Sequence, residues 1–144
     1  MIAKKIICLI ITCLMISHCS FKDDKYKVGQ VWYYETRQNE VNSTLTIVSV
    51  DNDYEEGVII GVRLDKIEFT RLENYDEVNI NFLPFSKLAL DKSVIKIKEY
   101  TAELPDFRSE YNAWKQDKDT SINKCFKSPV KQVLDSIEIK ALQH

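Results

Sequence analysis

The sequence is poor in the residues on which much enzyme chemistry depends. Its 144 residues include only two histidines, four cysteines and three glycines. His18 belongs to an N-terminal leader described below, and His144 is the last residue. Nucleophilic Ser-His and Cys-His pairs need an oriented imidazole, and zinc sites of the His and Cys type need these ligands. We therefore expect no histidine-dependent catalytic residue, no such metal site, no glycine-rich phosphate loop and no cofactor.

A strong net charge and a long apolar run are also missing. The 20 Lys and Arg residues stand against 22 Asp and Glu residues, a formal charge of −2, so no basic field exists to hold a polyanion and nucleic acid is not an expected partner. The longest apolar stretch, residues 6–16, is shorter than the roughly 20 residues of a spanning helix. With 44% apolar and 29% charged residues, the composition is that of one globular domain.

The first residues are typical of an export signal. Lys4 and Lys5 precede residues 6–16, which are apolar apart from Thr12. A short basic start followed by about 7–15 apolar residues, with small residues near the cut, is the pattern of a secretory signal peptide. Residues 1–18 are therefore predicted to be a signal peptide.

The segment Ile16-Ser17-His18-Cys19 resembles the lipobox of bacterial lipoproteins, although His18 stands where a small residue is usual. The resemblance implies that Cys19 receives a diacylglyceryl group, that the leader is cut before it, and that the new amino terminus is acylated. Several chains would anchor the protein stably, because each buried methylene contributes about 0.8 kcal/mol and one chain holds only marginally. Ser20 follows the cysteine, which in a diderm bacterium implies the outer membrane, facing the periplasm.

Two alternatives stay open at this point. Ordinary secretion would leave Cys19 as a thiol that could pair with Cys125, and a cytosolic protein could begin with an apolar segment. Cys13 is a weaker second lipobox candidate, because a cut there leaves apolar residues on the mature chain. The lipoprotein prediction instead leaves Cys125 alone, without a disulfide. Loss of Lys4 and Lys5 lowers the basic count by two, so the mature chain carries −4.

Strand patterns fill the first half of the remaining chain. Four strands are predicted, at residues 30–37, 44–50, 58–64 and, more weakly, 78–83. Residues 58–64 show the clearest alternation of apolar and other side chains. Val48 and Val50 indicate a bulge or two-sided burial.

Helix signals follow in the second half. Ser86 can cap a first helix, Asp106 a second and Ser128, before Pro129, a third. Residues 95–98 also alternate and could be extended, and residues 122–126 could form a short strand. The apolar stripes of the later helices are Phe107, Tyr111 and Trp114, then Val130, Val133, Leu134, Ile137 and Ala141.

This order of elements predicts an α+β fold. We expect an antiparallel sheet of about four strands in the N-terminal half of the mature domain, with two or three helices packed on one face. Residues 19–27 are predicted to be the lipidated cysteine and a polar tether, and residues 28–144 a single domain.

Several segments together resemble a family of small exported bacterial proteins, many with lipoprotein signals, for which no activity is established. The segments are VGQVWYYETR at residues 28–37, Glu40 with STLTI at 43–47, LPFS at 83–86, ALDKSV at 89–94, and LPDF at 104–107 with Tyr111 and Trp114. Phe82 stands where a histidine is expected, and residues 123–125 replace a glycine-containing stretch. The roles of that histidine and glycine therefore do not transfer.

Candidate sites are few. The acidic residues at 51–56 superficially suggest a calcium loop, but Gly57 comes one place late and the twelfth position is Val62, so we expect a solvated acidic hairpin loop. Trp32, Tyr34 and Arg37 are candidate contacts for a protein partner, although packing on a half-buried strand and an ordinary surface ion pair are the simpler interpretations.

These patterns predict a non-enzymatic envelope lipoprotein, held in the membrane through lipid on Cys19, that acts by binding a protein. The small size and the predicted location in the envelope fit an inhibitor or an immunity protein. The alternatives are an enzyme that uses paired carboxylates on an envelope polymer, and a structural or assembly component. Two acidic side chains that converge in a cleft would favour the enzyme, and an exposed aromatic patch would favour the binder.

Overall fold

The computed structural model describes residues 25–73 and 76–143, so the predicted signal peptide and Cys19 lie outside the described residues. Within these ranges the chain forms five strands and three helices. In chain order they are β1 (Gln30–Tyr34), β2 (Thr44–Asp53), β3 (Gly57–Glu68), β4 (Glu77–Ser86), α1 (Lys87–Asp91), β5 (Val94–Tyr100), α2 (Arg108–Asp117) and α3 (Val130–Ala141).

The five strands form one antiparallel sheet in the order β4-β3-β2-β1-β5. The first four strands are a meander, because short connections favour antiparallel neighbours. The predicted α+β class is confirmed, with five described strands where about four were predicted. The additional strand is β5, which crosses back after α1 to pair with β1 on the far side of the meander.

The boundary between α1 and β5 explains the additional strand. Ser86 caps α1 as predicted, since its side chain accepts a hydrogen bond from the backbone N–H of Ala89. The helix stops after Asp91 because Ser93 closes its end: the hydroxyl donates to the carbonyl of Ala89 at 2.8 Å and accepts from the N–H of Val130 at 3.0 Å. The branched residues that follow pair with β1, so the extended alternative for residues 95–98 is confirmed.

The predicted irregularity in β2 is also confirmed. The pairing with β3 shifts register between Ile47 and Ser49, so Val48 lies in a bulge and is buried, while Val50 is 40% exposed. A second irregularity lies in β3, where Lys66 has a φ of 59°, a left-handed conformation that side chains seldom adopt. The Asn79 side chain accepts a hydrogen bond from its N–H at 3.1 Å and so helps to hold this turn.

One face of the sheet carries the main core. Alternate residues of β1, β2 and β3 point into it, among them Leu45, Ile60 and Val62, and α1 and α3 cover it. Val130, Val133 and Leu134 of α3 are buried there, as the stripe predicted, whereas Ala141 is exposed. The helix begins at Val130, with Pro129 and not Ser128 at the capping position.

Two of the three described helices, α1 and α3, pack on the core face, within the two or three that were predicted, whereas α2 packs on the opposite face. Phe82 alternates along β4 with Leu83, which packs against the core, so it points to the opposite face, where its ring lies over Gly61. Tyr111 and Trp114 of α2 pack on this ring, with centroids 5.5 Å and 5.4 Å away. Gly61 leaves room for Phe82, because a Cβ there would overlap both the ring and the hydroxyl of Ser49. The aromatic stripe of α2 is therefore packing, and helices cover both faces.

Two other predicted boundaries differ from those in the structure. Residues 122–126 form no strand; Phe126 makes a single parallel bridge to Phe85. The domain also begins earlier than residue 28, because Tyr26 is 5% exposed and its ring lies 5.7 Å from that of Trp32. The part of the predicted tether that can stand between Cys19 and the folded domain is therefore shorter than residues 19–27.

Candidate functional site

Two of the three predicted contact residues are part of the core. Trp32 is 7% exposed and Tyr34 is 3% exposed. The indole N–H of Trp32 donates to Gln30 at 3.1 Å, and the Tyr34 hydroxyl lies 2.7 Å from the hydroxyl of Ser43. Burial raises the pKa of Tyr34. Burial leaves little of either side chain exposed for a partner, and both pack on the strand as the simpler interpretation had it.

The third predicted residue, Arg37, is the centre of an ion-pair network. Its guanidinium binds both oxygens of Glu40, donates to Glu138 at 2.8 Å and to the carbonyl of Glu68 at 2.9 Å, and lies 3.5 Å from Asp135. Burial opposes the charge of Arg37, but the two glutamates outweigh burial and raise its pKa. The network joins α3 to the segments that follow β1 and β3.

The two glutamates of this network were not predicted as a pair. Glu40 and Glu138 are each 2% exposed, and buried carboxylates require partners. Besides Arg37, Glu40 accepts from the backbone N–H of Glu68 at 3.0 Å and Glu138 from that of Arg71 at 2.7 Å. The sequence held one signal: Glu138 follows Leu134 by four residues and therefore lies within the apolar stripe of α3.

This network is suited to holding the fold and not to proton transfer. Every N–H group of Arg37 has an acceptor among the groups named above, so none is left for a substrate. Each carboxylate accepts hydrogen bonds from the guanidinium and from a backbone N–H, so both of its oxygens are engaged within the fold. A depression of about 390 Å³ beside it is lined by Thr36, Arg37, Gln38, Thr70, Arg71, Lys131, Asp135 and Glu138.

We expected the acidic loop at residues 51–56 to be solvated. Instead, it is bound to lysines from the second half of the chain. Asp53 accepts from Lys118 at 3.1 Å and from Lys124 at 3.3 Å, and also from two backbone N–H groups of its own turn. These hydrogen bonds lower the pKa of Asp53 against a smaller effect of burial. Among residues 25–73 and 76–143, no group of three or more acidic, histidine or cysteine side chains is placed to hold a metal ion.

One exposed apolar surface lies beside the edge strand β5. Tyr33 points away from the main core, because it alternates with the buried Trp32 and Tyr34, and it is 38% exposed. Ile95 is 65% exposed and Val41 is 74% exposed. Together with Lys96 they border a depression of about 440 Å³. We call Tyr33, Val41, Ile95 and Lys96 the Tyr33 patch.

The Tyr33 patch combines exposed apolar side chains with a neighbouring cation. The ammonium of Lys96 lies 5.8 Å from the centroid of the Tyr33 ring, within the range of a cation–π interaction. Tyrosine supplies a large contact area with few rotatable bonds, and a charged side chain at the border is common in interfaces. β5 pairs with β1 alone among the strands described, so Ile95 stands at an open edge of the sheet.

Comparisons with protein-family models, with curated proteins and with solved structures find no match for this chain. In the ranges that the structure describes, no helix has both the length and the apolar character needed to cross a membrane.

Proposed function

We propose that this protein is a lipoprotein of the bacterial envelope that acts by binding a protein partner through the Tyr33 patch. The anchor would be lipid on Cys19, in the outer membrane facing the periplasm. An inhibitor or immunity protein, which blocks a toxin or hydrolase of the same compartment, is the specific role that fits a small exported domain. In this proposal the protein is not an enzyme.

The observation that carries the binding role is the exposure of three neighbouring apolar side chains, Tyr33, Val41 and Ile95, on a sheet whose other large apolar residues are mostly buried. Exposing them to water is unfavourable, at about 25 cal/mol for each Å² of apolar surface. A partner that covers them gains this free energy. Tyr33 is held by the same strand that packs Trp32 and Tyr34, so it is presented on a rigid element, which lowers the entropic cost of binding.

The proposed anchor is tested by feeding cells a labelled fatty acid. We expect label on the wild-type protein and none on the Cys19→Ala variant, which should also leave the membrane fraction. The proposal fails if the variant stays firmly bound to the membrane and the wild type carries no label.

The proposed patch is tested by affinity capture from envelope extract with the full chain as bait. Tyr33→Ala should lower recovery of the partner about tenfold, because an aromatic contact of this kind contributes about 1–2 kcal/mol. Tyr54→Ala is the matched control, since Tyr54 is fully exposed and lies outside the patch. Equal recovery with both variants would exclude the patch. Absence of a partner at any salt, together with turnover of an envelope polymer, would favour the enzyme.

A further inference from the structure

A cavity with mainly apolar walls lies at β4, the edge strand opposite β5. Its volume is about 310 Å³, which is at the lower end of the range of about 300–1,000 Å³ for small-molecule sites. The rings of Phe82, Trp114 and Phe126 are part of its wall, and Glu110 and Asn123 are the polar residues among the described residues that line it. We call this space the Trp114 cavity.

The wall of the Trp114 cavity is held in place by the fold. The indole N–H of Trp114 donates to the carbonyl of Lys124 at 2.7 Å. Phe126 is bound to β4, since its N–H donates to the carbonyl of Pro84 at 2.8 Å and its carbonyl accepts from the N–H of Ser86 at 2.9 Å. The cavity is therefore largely preformed, as small-molecule sites usually are, which lowers the entropic cost of binding.

Glu110 sets the charge of the Trp114 cavity, because it is the one charged residue among the described residues that line it. It lies one helical turn before Trp114, so the two side chains share a face of α2. The hydrogen bond from Asn81 and the charge of Arg63 lower the pKa of Glu110, which keeps the carboxylate ionised at neutral pH. Arg63 also pairs with Asp65 at 2.8 Å, so Arg63, Asp65 and Glu110 together carry a charge of −1.

The neighbouring cations do not cancel this charge. Arg108 of α2 comes two residues before Glu110, a spacing that puts its side chain on another side of the helix. Four lysines follow Trp114 between residues 115 and 127, and each of them pairs with at least one carboxylate. The carboxylates of these pairs belong to Asp51, Asp53, Glu55, Glu56 and Asp119. Five acids thus stand against the four lysines.

A carboxylate beside aromatic rings is complementary to an organic cation with an apolar chain. An ammonium group pairs with the carboxylate and is attracted to the face of an indole ring. Each methylene of the chain that leaves water for the apolar wall strengthens binding about fourfold.

We propose that the Trp114 cavity binds a small primary amine, with the ammonium group at Glu110 and the alkyl chain against Trp114 and Phe126. This is a second site, independent of the proposed function, because it lies at the opposite edge of the sheet from the Tyr33 patch.

The test titrates the purified full chain with three probes that share a six-carbon chain and differ in charge at pH 7, namely hexylamine, 1-hexanol and hexanoate. NMR follows the indole N–H signal of Trp114, at the cavity, and that of Trp32, in the core, as an internal reference. In Glu110→Gln the amide oxygen can still accept from Asn81, but the charge is lost. The matched control is Glu103→Gln, which removes an exposed carboxylate that does not line the cavity.

We expect hexylamine to shift the Trp114 signal and to bind about five- to tenfold more tightly than 1-hexanol, with hexanoate the weakest probe. Glu110→Gln should remove this preference and leave the affinity for 1-hexanol unchanged, whereas Glu103→Gln should leave both unchanged. Equal affinities for hexylamine and 1-hexanol in the wild type, or the same loss of preference in both variants, would overturn the proposed ligand class. No shift of the Trp114 signal with any probe, or equal shifts of both indole signals, would overturn the site itself.

Discussion

Replacing Arg37 by methionine tests how the ion-pair network contributes to stability. The change removes the guanidinium that binds both Glu40 and Glu138. Because each glutamate is 2% exposed, both carboxylates stay buried without the cation that paired with them. Breaking a buried ion pair by removal of one partner costs about 3–5 kcal/mol. In urea this corresponds to a midpoint lower by about 1–5 M, with slopes of about 1–3 kcal/mol per M. The fluorescence of Trp32 and Trp114 reports the transition.

A triple variant separates the loss of the ion pairs of Arg37 from the burial of uncompensated charge. In the triple variant Arg37→Met, Glu40→Gln, Glu138→Gln, the amide oxygens still accept from the backbone N–H groups of Glu68 and Arg71 and no buried charge is left. We expect it to regain at least half of the lost free energy of unfolding.

The matched control for the single variant is Lys131→Met, which removes an exposed cation of α3 that pairs with Glu35, where the side chains are 37% and 58% exposed. Such pairs contribute about 0–1 kcal/mol. The reasoning is refuted if Arg37→Met costs no more than Lys131→Met, or if the triple variant is as unstable as Arg37→Met.

Three other predictions follow from the structure. Gly61→Ala should lower the free energy of unfolding by about 1–3 kcal/mol, because the methyl group overlaps Phe82; an unchanged urea midpoint would contradict the packing of α2. Burial disfavours the charge of Asp91, but hydrogen bonds from Lys25, Tyr26 and Lys87 outweigh it and lower its pKa to about 2. The contribution of Asp91 to the free energy of unfolding should therefore be fully present above the pKa that this carboxyl has in the unfolded chain. It should be lost as the pH falls from about 4 toward 2. Asp91→Asn should flatten that part of the profile, and an unaltered profile would refute the assignment. Burial raises the pKa of the Cys125 thiol, so a thiol reagent should modify it at neutral pH only after unfolding, and rapid reaction of the native protein would contradict its burial.

The elements that the sequence predicted correctly are those with strong local patterns. The alternation in residues 58–64 and the cap at Ser86 depend on neighbours in the chain, and both are present in the fold. The extended segment after α1 was ambiguous because its outcome depends on β1, a partner 60 residues away that supplies the hydrogen bonds.

The candidate site was predicted only in part, for a related reason. Period-two alternation in a strand puts Trp32 and Tyr34 on one side of β1 and Tyr33 on the other, but it cannot tell which side meets the core. That choice is made by α1, α3 and Tyr26, which cover the Trp32 side. Arg37 was identified as a polar contact, but one of its two buried partners, Glu138, lies 101 residues later, and no local pattern links the two.

The most direct test of the central claim, that the domain binds a protein through the Tyr33 patch, is site-specific photocrosslinking in living cells. A photoreactive amino acid is placed at Val41, which is 74% exposed, or at Tyr54, which is fully exposed outside the patch. The account predicts a discrete adduct with one envelope protein from position 41 and none from position 54. No adduct from position 41, or the same adducts from both positions, would contradict it.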